Sequence, residues 1–339
     1  MIVRPHPTFF EKTFAIHGSI LVAILPKVLF ACLTGLAAYL VHSDDDPFFA
    51  FTPFTALGVA ISLFLGFRNN ACYERWWEGR KQWGAQVICT RNLARTCLTF
   101  LGSEVSIDDV GVAGIEIDET NPKSPTSRSI ASIISSLGVC HSHLLRGQLR
   151  GIWLSGHPKP PNPSYPADAV VDALKYAPEG HHESLANAKN QPDAALRLAA
   201  SWVQRCLATQ TIDTIAAQSI LKDLNDLSSV QGACERLSTA LVPFPYSLLV
   251  HRTIIFYIVL APFAMAGDLG QYTAPFNAIV AYTFFGLDEV ARQMEQPFGD
   301  EPLCLSMSAI CRTIETSVKE AFGEEASPPL APDQRHCLM

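Results

Sequence analysis

The stretch 53–84, PFTALGVAISLFLGFRNNACYERWWEGRKQWG, changes character once along its length. Residues 53–67 carry no charge. From Arg68 onward, Arg68, Glu74, Arg75, Glu78, Arg80 and Lys81 alternate with Tyr73, Trp76, Trp77 and Trp83. Val59, Leu63 and Phe67 recur at four-residue spacing, which sets them along one side of a helix. Gly58 and Gly66 leave room for close helix approach. One long helix that leaves a bilayer and enters a folded aqueous region has this pattern. Read functionally, the stripe lines a pore, because apolar rings gate conduction by dewetting. A single helix cannot enclose a pore, so this reading requires one copy of the stripe from each subunit of an oligomer. The bland reading is that such residues pack against neighbouring helices or lipid. Asn69 and Asn70, just beyond the stripe, either offer polar groups to an ion shedding water or simply cap and pack.

The composition leans the same way. Of 339 residues, 48% are hydrophobic and 17% charged, against roughly 25% charged in an ordinary soluble protein. Mean hydropathy is +0.18. A net charge of -7 argues against a general nucleic-acid binder. None of the ten cysteines forms a close CxxC pair, and several lie in apolar or helical runs, so buried free thiols are expected rather than disulfides or zinc. The first apolar run starts late and lacks a small-residue cleavage pattern.

Four apolar runs read as membrane spans, the first two close to the roughly 20 residues a bilayer requires. The first spans about 20–41, interrupted only by Lys27. The second spans 48–67. The third spans 246–267, with His251 and Arg252 at its inner end, where Arg can snorkel. The fourth starts at Phe276 and turns polar at Asp288, Glu289, Arg292 and Glu295, before QPFGDEP at 296–302 stops it. Asp44, Asp45 and Asp46 mark an outer turn, and Asp268 a second one. The Arg-rich end of the second run, with both termini, faces the cytoplasm by the positive-inside tendency. Residues 101–240 are too polar to span. They read as a cytoplasmic helical region with loop insertions, including a short helix at 168–176. The division is therefore 1–100 (two spans and the extension of the second), 101–240, 241–295 (two spans) and 296–339 (a final helix and loose tail).

Little else carries chemistry. His141 and His143 do not share a helix face, and His181 and His182 sit in a loop. No phosphate-binding, dinucleotide-binding or hydrolase motif is present, so an enzyme is not expected. The pairs Glu74/Arg75 and Glu78/Arg80 read as part of a structural salt-bridge network, with the tryptophans as core or interfacial anchors. Acidic side chains near 288–301 could bind calcium, although no EF-hand spacing accompanies them.

Several segments together resemble the bestrophin family: Ile2–Arg4 with His17–Ser19; GxxxxxFLGFRNNACYERWWEGRKQWG at 58–84; CERL at 234–237 followed by STALVPFPYSLLVHR; LAPFAMAGDLG at 260–270; and PFGD at 297–300 with the segment Cys311–Glu315. The resemblance is loose across 101–205. It implies an all-α membrane protein with four transmembrane helices per subunit and a cytoplasmic helical domain, assembled as a homopentamer around a central pore. The family's neck falls on Val59, Leu63 and Phe67. A second, cytoplasmic constriction falls near Ile215. Arg68, Asn69, Asn70, Glu74, Arg75, Trp76 and Trp83 hold the exit of helix two. Animal members bind calcium through an acidic run after PFG. Here only Asp300 and Glu301 follow, so a weak site is implied at most and no cofactor is required. Implied partners are membrane lipid, monovalent ions and further copies of the chain. The implied activity is passive ion flow, with chloride the nominal ion and a plausible setting in the bacterial inner membrane. A cation-selective channel of the bacterial type and a non-conducting structural membrane protein are the alternatives.

Overall fold

The computed structural model of the chain describes residues 20–42, 51–102, 129–155 and 165–332. The segment 1–19, the acidic turn after the first span and most of the loop at 102–127 lie outside the described residues. Those described form ten α-helices: α1 (Leu21–Val41), α2 (Phe51–Leu101), α3 (Ile130–Ser155), α4 (Tyr165–Leu174), α5 (His182–Ala186), α6 (Gln191–Ala208), α7 (Thr214–Thr239), α8 (Phe244–Leu269), α9 (Thr273–Glu295) and α10 (Met307–Ala321). No strand occurs among them. The long-helix expectation holds: α2 runs unbroken for 51 residues through the change from apolar to charged sequence. Asp268 is a correction. It lies in the last turn of α8, and the reversal into α9 is made by Gly270–Tyr272, where Gly270 takes a positive φ of 52°.

The helices gather around two cores that share α2. In the first, Ile24 and Ala31 of α1, Ile61 and Leu65 of α2, Val250, Ile254 and Ile258 of α8, and Ala281 and Phe285 of α9 pack together. Around them the outward faces stay apolar: Val22, Leu29, Leu33 and Leu40 on α1, Phe256 on α8 and Ile279 on α9 are exposed. A helix apolar all round suits lipid better than water. Leu21–Val41 and the continuous segment Phe244–Glu295 are long and apolar enough to cross a membrane, and only 22% and 33% of their most apolar windows are buried. Gly35 permits the tight α1–α9 contact, since a Cβ there would stand 2.7 Å from Ala274 Cα.

Pro262 interrupts α8 inside this core. Lacking an N–H, it orphans the carbonyl four residues back, Ile258 O. Asn277 of α9, itself buried, repairs this: its Nδ2 donates to Ile258 O at 3.2 Å and to Ala31 O of α1 at 2.8 Å. One amide thus satisfies a broken helix and ties three helices together where lipid offers no substitute donor.

In the second core, α3 is the central element, buried from Ile130 through Gly147 among α2, α4, α6, α7 and α10. Several of its polar residues survive burial through internal partners. Ser135 and Ser142 donate to carbonyls one turn back, Ala131 O and Gly138 O. His141 accepts from Gln86 Nε2 of α2 (2.9 Å) and faces Gln231 Oε1 of α7 (3.2 Å), which makes it a neutral donor at Nε2 and acceptor at Nδ1. Burial pushes this imidazole down to about 4. All nine described cysteines are free.

Two expectations follow. Asn277→Leu lowers stability by about 1–3 kcal/mol by leaving Ile258 O only the long contact from Thr34 Oγ1 at 3.5 Å. In a Pro262→Ala background, where the backbone N–H is restored, the same change costs clearly less. Thermal unfolding of the four proteins in detergent checks this, and an equal loss in both backgrounds refutes the repair. The depressed pKa of His141 sets the sign of a pH effect, because the unfolded chain takes up the proton first. Stability is full above about pH 6.5 and falls on acidification toward 4, by about 2 kcal/mol at pH 5 for this one group. His141→Gln should flatten that slope in melts recorded from pH 7 to pH 5.

Candidate functional site

The first half of α2 has two unlike faces. Ile61, Leu65, Arg68 and Cys72 point inward and are buried. Val59, Leu63 and Phe67 point the other way and are 67%, 56% and 56% exposed. Four-residue steps at 1.5 Å per residue draw these three side chains out over about 12 Å of helix. The exposed line continues through Asn70, Glu74 and Trp77 to Ile88.

What fixes this face is the chemistry behind it. Arg68 is the first charge after the apolar run and is almost fully buried. Its Nη1 pairs with Asp288 Oδ1 of α9, and its Nη2 lies 3.6 Å from Glu295 Oε2 one heptad further on. His251 of α8 closes the cluster from the third side, with Nδ1 2.8 Å from Asp288 Oδ2. Tyr246 Oη donates to Phe64 O at 3.1 Å. Two turns beyond Arg68, Arg75 gathers helix C-termini. It donates to Leu237 O at 2.6 Å and to Ala240 O at the end of α7, and to Glu295 O at the end of α9 at 3.1 Å. Those carbonyls have no partner within their own helices, and a guanidinium suits both their geometry and the negative end of the dipole. Trp76 Nε1 donates to Leu303 O at 2.8 Å, and Trp83 is fully buried in the second core.

The structure separates the residues singled out from sequence. Arg68, Arg75, Trp76 and Trp83 lie on the fixed side of α2. Asn70 and Glu74 lie on the exposed line, and Asn69 Nδ2 turns back to Leu65 O at 2.9 Å. The salt-bridge reading needs correcting: Glu78 pairs with Lys81 at 2.5 Å and takes a bond from Gln82, while Arg75 binds carbonyls. Ile215 is 71% exposed in the first turn of α7 behind an Asp213 cap that accepts from Ala216 N. Asp300 pairs with Arg150 of α3, and Glu301 lies 2.8 Å from Arg292, which also holds Glu289. No group of three or more His, Cys, Asp or Glu that could hold a metal occurs among the described residues. Sequence reading missed the roles of Asp288, Glu295 and Asn277. The available signal was the seven-residue spacing of the two acids, which sets them on one face of α9.

If the Arg68–Asp288 pair is the joint between α2 and α9, removing one partner leaves a buried charge. Arg68→Ala and Asp288→Ala should each cost about 3–5 kcal/mol, and the double variant far less than their sum. A thermal double-mutant cycle checks this, and additive losses would exclude the pair as the joint.

The family described as bacterial/fungal bestrophin protein matches residues 1–320. A voltage-dependent anion channel-forming protein of Mesorhizobium japonicum is 33% identical over 338 residues, 99% of this chain and 96% of that protein. The voltage-dependent anion channel-forming protein YneE of Escherichia coli K12 is 32% identical over 343 residues, the full length of both. A crystal structure of a bacterial bestrophin homologue from Klebsiella pneumoniae superposes with a TM-score of 0.73 at 28% identity, covering 89% of this chain and 99% of that one. This chain belongs to the bacterial/fungal bestrophin family and is an all-α, multi-pass integral membrane protein.

Proposed function

We propose that the chain assembles as a homopentamer in which α2 of each subunit lines a central neck, and that the assembly passes small monovalent anions, chloride among them, down their gradient. The observation that carries this is the contrast across α2. Three large apolar side chains stand free on one line, while the opposite line is held by buried charge pairs and borrowed carbonyls. Rings of Val59, Leu63 and Phe67 would be too apolar to replace an ion's water, so passage is set by width and wetting rather than by fixed charge. The neck is therefore silent on the sign of the ion. Anion selectivity is supported instead by the relatives, which are described as voltage-dependent anion channel-forming proteins. Ile215 would form a second, cytoplasmic ring.

In this reading four spans, α1, the first part of α2, α8 and α9, place both termini in the cytoplasm of a bacterial inner membrane. The Arg-rich continuation of α2 on the inner side supports that orientation. Calcium is not required. Asp300 and Glu301 are the acids that follow PFG, and each is engaged by a guanidinium, so the pair does not fit a divalent ion.

Reversal potentials of the purified protein in planar bilayers under a KCl gradient test the reading. The expected value lies near the chloride equilibrium potential and persists when sodium replaces potassium. Val59→Ala, Leu63→Ala and Phe67→Ala, exposed in the subunit and so tolerant to fold, should each raise conductance severalfold by widening and wetting the neck. A potential near the potassium value would mean cation selectivity. Absence of current, or current indifferent to all three changes, would make the stripe a packing seam.

A further inference from the structure

Away from α2's exposed line, a cavity of about 610 Å3 opens between α3, α4, α10 and the chain that follows α10. Its walls carry four cations and two carboxylates. Asp172 is shared by Arg146 at 3.1 Å and Lys175 at 2.8 Å. Glu315 is shared by Arg312 at 3.1 Å and Lys319 at 2.9 Å, and also accepts from Ser327 Oγ at 2.8 Å. Each acid is thus spent on two cations, and two positive charges face the cavity without a matching carboxylate in its walls.

Deeper in, polar atoms stand without partners. His143 of α3 is 6% exposed and stacks on Tyr176 with ring centroids 5.4 Å apart. Neither of its ring nitrogens has a hydrogen-bond partner, and Arg146, also 6% exposed, has an unpartnered Nε. Buried groups of this kind ordinarily find a partner. The volume falls in the range of small-molecule sites. The elements around it pack on α2, α6, α7 and one another rather than on the apolar helices α1, α8 or α9, which sets the cavity apart from them.

We infer that this cavity binds a small, water-soluble phosphomonoester. A compact dianion matches the two uncompensated charges. The guanidinium forks of Arg146 and Arg312, on facing helices, fit phosphate oxygens, and the His143 ring offers one N–H to the same group. The site is separate from the proposed neck, and its occupancy is read without any current.

The test is isothermal titration calorimetry on the full-length protein in detergent, with inorganic phosphate, glucose 6-phosphate and citrate as probes. Saturable binding of the two phosphates at one shared site is expected, with citrate weaker. Arg312→Gln, which alters a partly exposed side chain, should weaken glucose 6-phosphate by about tenfold or more. Lys222→Gln on the exposed face of α7 removes the same bulk charge and should change nothing. Failure of inorganic phosphate to bind, equal losses in the two variants, or tighter citrate than phosphate would overturn the assignment. So would binding seen only after deletion of residues 331–339, which would make the chain's own tail the occupant.

Discussion

The pairing of Arg68 with Asp288 governs how the rest of the molecule can sit. It stands where the uncharged run of α2 ends, and both partners are removed from water. Desolvating two such ions costs several kcal/mol each, so neither helix can move without leaving a charge stranded. A shift of α2 by one residue would turn it by about 100° and carry Arg68 away from α9. The register of α2 against α8 and α9 is therefore fixed at this point. Arg75, two turns on, carries that register into the second core by reaching the ends of α7 and α9 together.

The two cores accept polar groups on different terms. Around α8 and α9 there is no water to rescue an orphaned carbonyl, so the cost of Pro262 is met by one amide, Asn277, whose Nδ2 reaches two helices. Around α3 the solution is distributed. Serine hydroxyls fold back on their own helix, and the Gln86–His141–Gln231 line joins α2, α3 and α7. The first arrangement makes a point contact that few side chains could replace. The second spreads the same requirement over several weak bonds, which lets a long polar helix be fully enclosed.

This difference explains what the sequence made legible. The uncharged runs, the long α2 and the stop at QPFGDEP are one-dimensional signals, because period, hydropathy and proline speak of the residue's own neighbourhood. The side of α2 that holds Val59, Leu63 and Phe67 was legible for the same reason. The centrality of α3 was not: its serines, histidines and arginines lay in a region read only as polar and helical, and the partners that accompany its burial, Gln86 on α2, Asp172 on α4, Gln231 on α7 and Asp300 beyond α9, are distant in sequence. Asp288 and Glu295 read as an acidic helix exit for the same cause, since their meaning lies in Arg68, more than two hundred residues earlier in the chain. Asp268 was misplaced because Gly270, rather than the charge, makes the turn.

The exposed line of α2 differs from a plain lipid-facing surface. On α1 the outward residues form a uniformly apolar face, Val22, Leu29, Leu33 and Leu40, as contact with acyl chains would require. The line on α2 behaves otherwise. It begins apolar with Val59, Leu63 and Phe67, passes through Asn70 and Glu74, and then presents Trp77 and Ile88 well beyond the apolar run. Lipid would not favour the middle of that line, and water would not favour its ends. A surface that keeps one direction across the membrane boundary while changing chemistry suits neither solvent along its whole length. It suits a helix that faces copies of itself about an axis running beside it, where apolar and polar levels each meet their own kind.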